Sequence, residues 1–175
     1  MKKFISLKSY FIQTCHTALF NPSRTLLRSS KLNALAPYLI VIAFALIGQQ
    51  ARACTINLTG VNFGSYDLFS NAAQYSAGNI GLNCANSVEY TIALGWGSGT
   101  FTQRILSSGA HSFKYNLFTA ANRALVWGDA TNGSATVSGS GTGVRVNHVV
   151  YGQIPPQQNV PAGSYSDTIT VVITF

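Results

Sequence analysis

The chain has 175 residues and a formal net charge of +7, although only 9% of its residues are charged and 47% are hydrophobic. Seven cations (Lys2, Lys3, Lys8, Arg24, Arg28, Lys31 and Arg52) precede residue 54 with no acid among them, whereas Arg104, Lys114, Arg123 and Arg145 balance Asp67, Glu89, Asp129 and Asp167 in the remainder. Residues 54–175 are therefore neutral, which removes the basic patch on which nucleic-acid binding depends.

The first predicted element is a targeting segment over residues 1–53. A long basic stretch leads into an apolar run at about 34–47, 14 residues long. A spanning helix needs ~20. Ala51-Arg52-Ala53 follows as an A-x-A cleavage pattern. The expectation is a secretory signal cut after Ala53, leaving no stable membrane span in the mature form. The basic stretch is unusually long, and initiation near Leu26 or Leu27 would shorten it to an ordinary signal. The rivals are a membrane anchor, an organelle transit peptide and a lipid-modified Cys54. The length of the apolar run counts against the first, the cysteines against the second, and Ala51-Arg52 against the third.

Cleavage there leaves 122 residues, enough for one domain with a real core. Cys15 lies in the leader, so the mature part keeps Cys54 and Cys84. Two cysteines in an exported domain are expected to pair. The bridge would close a 31-residue loop, worth roughly 3–4 kcal/mol in the chain-entropy picture. No further ligands lie at zinc spacing.

Beyond Cys54 the chain alternates. Ile56 and Leu58 share one face, then Ile80, Leu82 and Cys84. Val88, Tyr90, Ile92 and Leu94 alternate with polar or small residues, and so do Phe113, Tyr115 and Leu117. Gly95-Trp96-Gly97-Ser98-Gly99 breaks the pattern, Gly128-Asp129 and Asn132-Gly133 mark turns, and Ser138 to Gly143 reads as a flexible loop. Val144, Val146, His148 and Val150 form a further face, stopped by Pro155-Pro156. The last run, Thr168 to Phe175, places Ile169, Val171, Ile173 and Phe175 on one side. Period two with β-branched and aromatic residues specifies half-buried strands. Six or seven strands separated by turns predict an all-β, immunoglobulin-like antiparallel sandwich. The final strand needs a neighbour along its free side, and if this chain cannot supply one, another chain must.

Candidate chemistry is sparse. His111 and His148 stand apart, and His148 lies on a valine face, where a packed histidine is expected rather than a ligand. The four acids form no paired-carboxylate signature, and Asp67 and Asp167 read as turn residues. Neither glycine-rich stretch matches G-x-G-x-x-G or the P-loop, so both are read as flexible loops. There is no G-x-S-x-G elbow. No catalytic, metal or cofactor-binding residue is assigned, and an enzyme is not expected.

One set of residues resembles a known family. Cys54-Thr-Ile-Asn, Val61 to Asp67, Ile80 to Cys84, Arg104, Tyr115-Asn116-Leu117-Phe118, Trp127-Gly128, Tyr151 to Pro155 and Gly163 to Asp167 are similar, in order, to the spore coat U domain. That family is shared with secreted pilins of the archaic chaperone–usher type. The resemblance implies a sandwich that lacks its last strand. A periplasmic chaperone first lends one beside the subunit's C-terminal strand, and another pilin subunit later replaces it at the outer-membrane usher. It implies further that Ile169, Val171, Ile173 and Phe175 line the acceptor groove, and that Cys54 and Cys84 join the first strand to the second. The product would be a structural or adhesive subunit of an extracellular pilus or surface coat, exported through the periplasm to the cell surface. Four open apolar groups at ~1.5–3 kcal/mol each rival the stability of a whole domain, about 5–15 kcal/mol. Cleavage after Ala53 leaves no donor extension, and cleavage after Ala45 leaves one without large alternating apolar residues. A tip or minor position in the fibre is therefore expected. The alternative is a stand-alone secreted binding module that holds carbohydrate on Trp96 or Trp127.

Overall fold

A computed structural model describes residues 54–175, together with the backbone of a strand over residues 6–16. The apolar run at 34–47, the initiation sites at Leu26 and Leu27, and the Ala53 cleavage site lie outside the described residues. Every regular element described is a strand: β1 (Ser6–His16), β2 (Thr55–Thr59), β3 (Asn62–Gly64), β4 (Gln74–Asn83), β5 (Glu89–Leu94), β6 (Arg104–Ser108), β7 (His111–Phe118), β8 (Val137–Ser140), β9 (Arg145–Ile154) and β10 (Ser164–Thr174). No helix among the described residues is long and apolar enough to cross a membrane.

The strands form an unclosed path β2-β4-β9-β7-β6-β10-β1-β3, with β5 and β8 branching off beside β10. The path turns over at β7. Residues 111–115 of β7 pair with β6 in one sheet, and residues 116–118 pair with β9 in the other. The inward faces of both sheets meet in one core containing Ile80, Leu82, Ile92, Phe113, Tyr115, Val150, Ile169 and Val171. Phe113 is wedged between rings, 4.6 Å from Tyr66 and 5.7 Å from Tyr165 between centroids. This is the all-β, immunoglobulin-like antiparallel architecture that the alternating runs predict.

Most runs fall where period two places them. Ile56 and Leu58 are half-buried on β2, and every second residue of β5 from Tyr90 is buried. Pro155 follows the last residue of β9. Three places differ. The valine face of β9 holds only towards its end, because Val144 lies before the strand and is exposed while Val150 is buried. The stretch from Ser138 is not simply a loop, since Val137–Ser140 pairs with β5 as β8. Gly139 makes that possible, because a Cβ there would meet the Tyr90 hydroxyl at 2.6 Å. The strand is polar outside and needs a missing side chain inside, so no alternation marks it.

The third difference concerns the final strand. β10 does not present an open edge. One edge pairs antiparallel with β5 and, at Ser166, with β6. The other pairs over its full length with β1, in parallel, from Ser6↔Ser164 to His16↔Thr174. β1 in turn pairs antiparallel with β3, at Leu7↔Gly64 and Lys8↔Asn62, with a register shift between them. The expectation that another chain must cover this edge is therefore corrected for the full chain, in which a segment from the basic leader lies there. Composition marked that segment as a targeting sequence and hid its capacity to pair.

Candidate functional site

The candidate site is the slot between β10 and β3. Its two walls belong to the sandwich, and its occupant, β1, comes from outside it. Within 54–175, nothing else described lies along that edge of β10. Ile169, Val171 and Ile173 point from β10 into the shared core, fully buried, and Phe175 just beyond the strand is half-buried against it. Thr168, Thr170 and Val172 take the opposite face. The β10 backbone beside these residues presents N–H and C=O groups that a strand must satisfy.

A buried polar cluster holds β10 to the loop after β5. Asp167 is 4% exposed, and one of its oxygens accepts from the Ser98 backbone N–H at 3.0 Å and from the Ser98 hydroxyl at 2.9 Å. The other accepts from the Tyr115 hydroxyl at 2.7 Å. Arg104, fully buried, donates to Gly95 O through Nε and Nη2, to Asn116 Oδ1 through Nη1, and to Trp127 O through Nη2. Burial lowers the Arg104 guanidinium to about 10, with the charges of Tyr115 and Asp167 opposing the shift. Burial raises Tyr115, and so do the charge and hydrogen bond of Asp167, so its phenol stays a donor. Asp167 is thus no turn residue. The Gly95 to Gly99 segment is no slack loop either, since Gly97 has φ +67° and a Cβ there would collide with the Asp167 carboxylate.

Cys54 and Cys84 are bridged, tying the residue before β2 to the residue after β4. Those strands pair antiparallel from Thr55↔Asn83 to Thr59↔Asn79.

The Spore Coat Protein U domain model matches residues 41–172. The chain belongs to that family. "Protein U" of Myxococcus xanthus is 28% identical to it over 170 residues, which cover 89% of each chain. Among solved structures, the fold is similar to a chain in the chaperone–tip adhesion subunit pre-assembly complex from archaic chaperone-usher Csu pili of Acinetobacter baumannii, at 25% identity and a TM-score of 0.53. That match covers 70% of this chain and 39% of the other, so this chain spans well under half of its neighbour's length.

The residues that carry the resemblance to spore coat U domains are tied to one another and to residues outside the motifs. The Tyr66 hydroxyl donates to Pro155 O at 2.9 Å and accepts from Gln158 N–H at 3.2 Å. Asn116 donates to Phe101 O at 2.8 Å. Trp127 is 1% exposed, with its indole N–H donating to Ile92 O, which removes it as a ligand platform. In the sequence Arg104 stands out only as a piece of a motif, and Asp167 as a piece of a motif and a turn residue. Their roles depend on partners up to 69 positions away, and no local pattern signals that.

In this spore coat U domain His148 is half-buried, with Nε2 2.8 Å from the Tyr90 hydroxyl, while His111 is exposed at the start of β7. No cluster of three or more His, Cys, Asp or Glu side chains suited to a metal occurs among the described residues. Burial lowers the His148 imidazole below its ordinary value, so the unfolded chain takes up the proton first. Stability should be complete above about 6.5, the unfolded value, and fall as pH drops through it towards the lower folded value. Thermal melts at pH 7.5 and 5.5 should show a smaller loss for His148→Gln than for the parent. Equal losses would exclude His148 as the source.

Proposed function

We propose that residues 54–175 form a structural or adhesive subunit of an extracellular pilus or surface coat, which accepts a strand from a partner between β10 and β3. The observation that carries this is the 11-residue parallel pairing of β1 with β10. That slot takes a strand that residues 17–53 separate from Cys54 in the sequence, which fits a docking position rather than an internal turn of the fold. Removal of the leader after Ala53 would take β1 with it and expose the slot. A periplasmic chaperone, and later another pilin subunit delivered by an outer-membrane usher, are the partners that fit. Membership of the family and likeness to a chain of a chaperone–tip adhesion subunit complex support the reading. Export through the periplasm to the cell surface, a tip or minor position, and Ile169, Val171, Ile173 and Phe175 beside the incoming strand belong to the same proposal, as does the absence of catalysis.

The test is expression of residues 54–175 in the periplasm, with and without a pilus chaperone. Alone, the protein should self-associate through its open slot. With the chaperone, it should co-purify as a one-to-one complex. Cysteines placed at Thr170 and along the chaperone's donor strand should crosslink. A heat-resistant monomer of 54–175 that ignores the chaperone would overturn the proposal.

A further inference from the structure

Trp96 is the feature that assembly leaves unused. It is 53% exposed, large, and placed on a loop that buried charge holds rigid. On one side of it, Gly95 N–H donates to Thr170 O at 2.8 Å, and Gly95 O accepts from Arg104 twice. On the other side, Ser98 is fastened to Asp167 by backbone and side chain. The indole meets Phe101 edge to face, at 5.6 Å and 78°. Phe101 is itself backed by the Arg104 guanidinium, 5.6 Å from its ring centre. Two buried ions and two glycines therefore fix the position of one exposed indole. An aromatic surface held this firmly loses little entropy on binding a ligand.

The indole stands between two hollows. One, of about 420 Å³, is lined by Thr100, Thr102 and Asn132 around Phe101. The other, of about 390 Å³, is lined by Asp129, Thr168 and Thr170 beside Gly95 and Gly97. Both fall in the size range of small-ligand sites. Hydroxyls, an amide and one carboxylate flank the ring, and neither hollow is lined by a cation. That is unsuited to a polyanion, and it sets polar groups among the apolar surfaces of Trp96, Phe101, Ala93 and Val172. It suits a molecule with an apolar C–H face and hydroxyls around its edge.

We propose that Trp96 is the stacking platform of a groove that binds a neutral oligosaccharide, one pyranose face on the indole and the adjoining sugars in the hollows on either side. The ring supplies apolar contact to the sugar C–H face. Thr100, Thr102 and Asn132 on one side, and Asp129, Thr168 and Thr170 on the other, exchange hydrogen bonds with its hydroxyls. This function goes beyond strand acceptance and stands without it, because the groove is built entirely from residues 93–172.

The test is titration of the full chain with cellotetraose, mannotetraose and chitotetraose, followed by an array of neutral glycans, with oligogalacturonate as the anionic comparison. The chain has two tryptophans, and Trp127 is buried, so a shift in indole emission on binding reports Trp96. Calorimetry on the same ligands gives affinities for variants that lack the reporter. A neutral oligosaccharide should bind saturably with a blue shift. Trp96→Ala should weaken it at least ten-fold, with Trp96→Phe between the two and Asn132→Ala weakened. Far-UV circular dichroism and the emission of Trp127 check that each variant folds, and Trp96→Phe carries the test if the alanine variant does not. Absence of binding across the neutral array would overturn the proposal, as would affinity unchanged in both Trp96 variants or a preference for oligogalacturonate.

Discussion

Arg104→Met is expected to destabilise the domain by about 3–5 kcal/mol, the range for removing one member of a buried charged network. Methionine fills much of the same volume, so little of the loss comes from a cavity. What is lost is the guanidinium, which satisfies Gly95 O, Trp127 O and Asn116 Oδ1 at once. Buried acceptors left without donors cost about 1–3 kcal/mol each, and buried Asp167 loses its electrostatic interaction with Arg104. Arg104→Lys should recover only a small part, because one ammonium cannot reproduce a planar fork serving three acceptors. Denaturant unfolding reads the effect as a lower midpoint at unchanged slope. A loss below about 1 kcal/mol in the methionine variant would show that the network carries little of the fold's stability.

The second large effect is expected from the Cys54–Cys84 bridge. Replacing both cysteines with alanine should lower stability by roughly 3–4 kcal/mol, as the entropy of the open loop returns to the unfolded chain. Because Cys84 is buried, the double variant also loses some packing, which places the expectation at the upper end. Reduction of the parent protein keeps both sulfurs and removes only the crosslink, so it separates the two contributions. The reduced parent should unfold at a lower denaturant concentration than the oxidised form and at a higher one than the double variant. Coincident curves for reduced and oxidised protein would mean that β2 is held by its ladder to β4 alone.

Period two made the larger elements legible. β5, β7 and β10 bury every second side chain over most of their length, so the sequence shows which face is inward before any partner is known. The bridge followed from two cysteines in one domain that is expected to be exported. The remainder was hidden for separate physical reasons. β8 contributes backbone and a glycine rather than an apolar face. β1 has strand-forming residues embedded among cations that composition assigns to targeting. Asp167 sits in the alternating pattern at a position where a charge is ordinarily excluded. Only the fold brings Ser98 and Tyr115 from two other segments to receive it. Trp96 and Trp127 look equivalent in the sequence, each beside a glycine. Burial separates them, because one indole finds Ile92 O in the interior and the other stands on a pinned turn.

The position of the disulfide has a mechanical consequence. β2 and β4 are antiparallel, and Cys54 and Cys84 lie just outside the Thr55↔Asn83 end of their pairing. Tension entering at residue 54 would otherwise unzip that ladder one hydrogen bond at a time, the weakest geometry for a β-pair under load. The crosslink sits at the point where unzipping would begin and passes the force covalently to the end of β4. There the chain is anchored by β4, whose ten-residue register against β9 is twice as long as the pairing of β2 with β4.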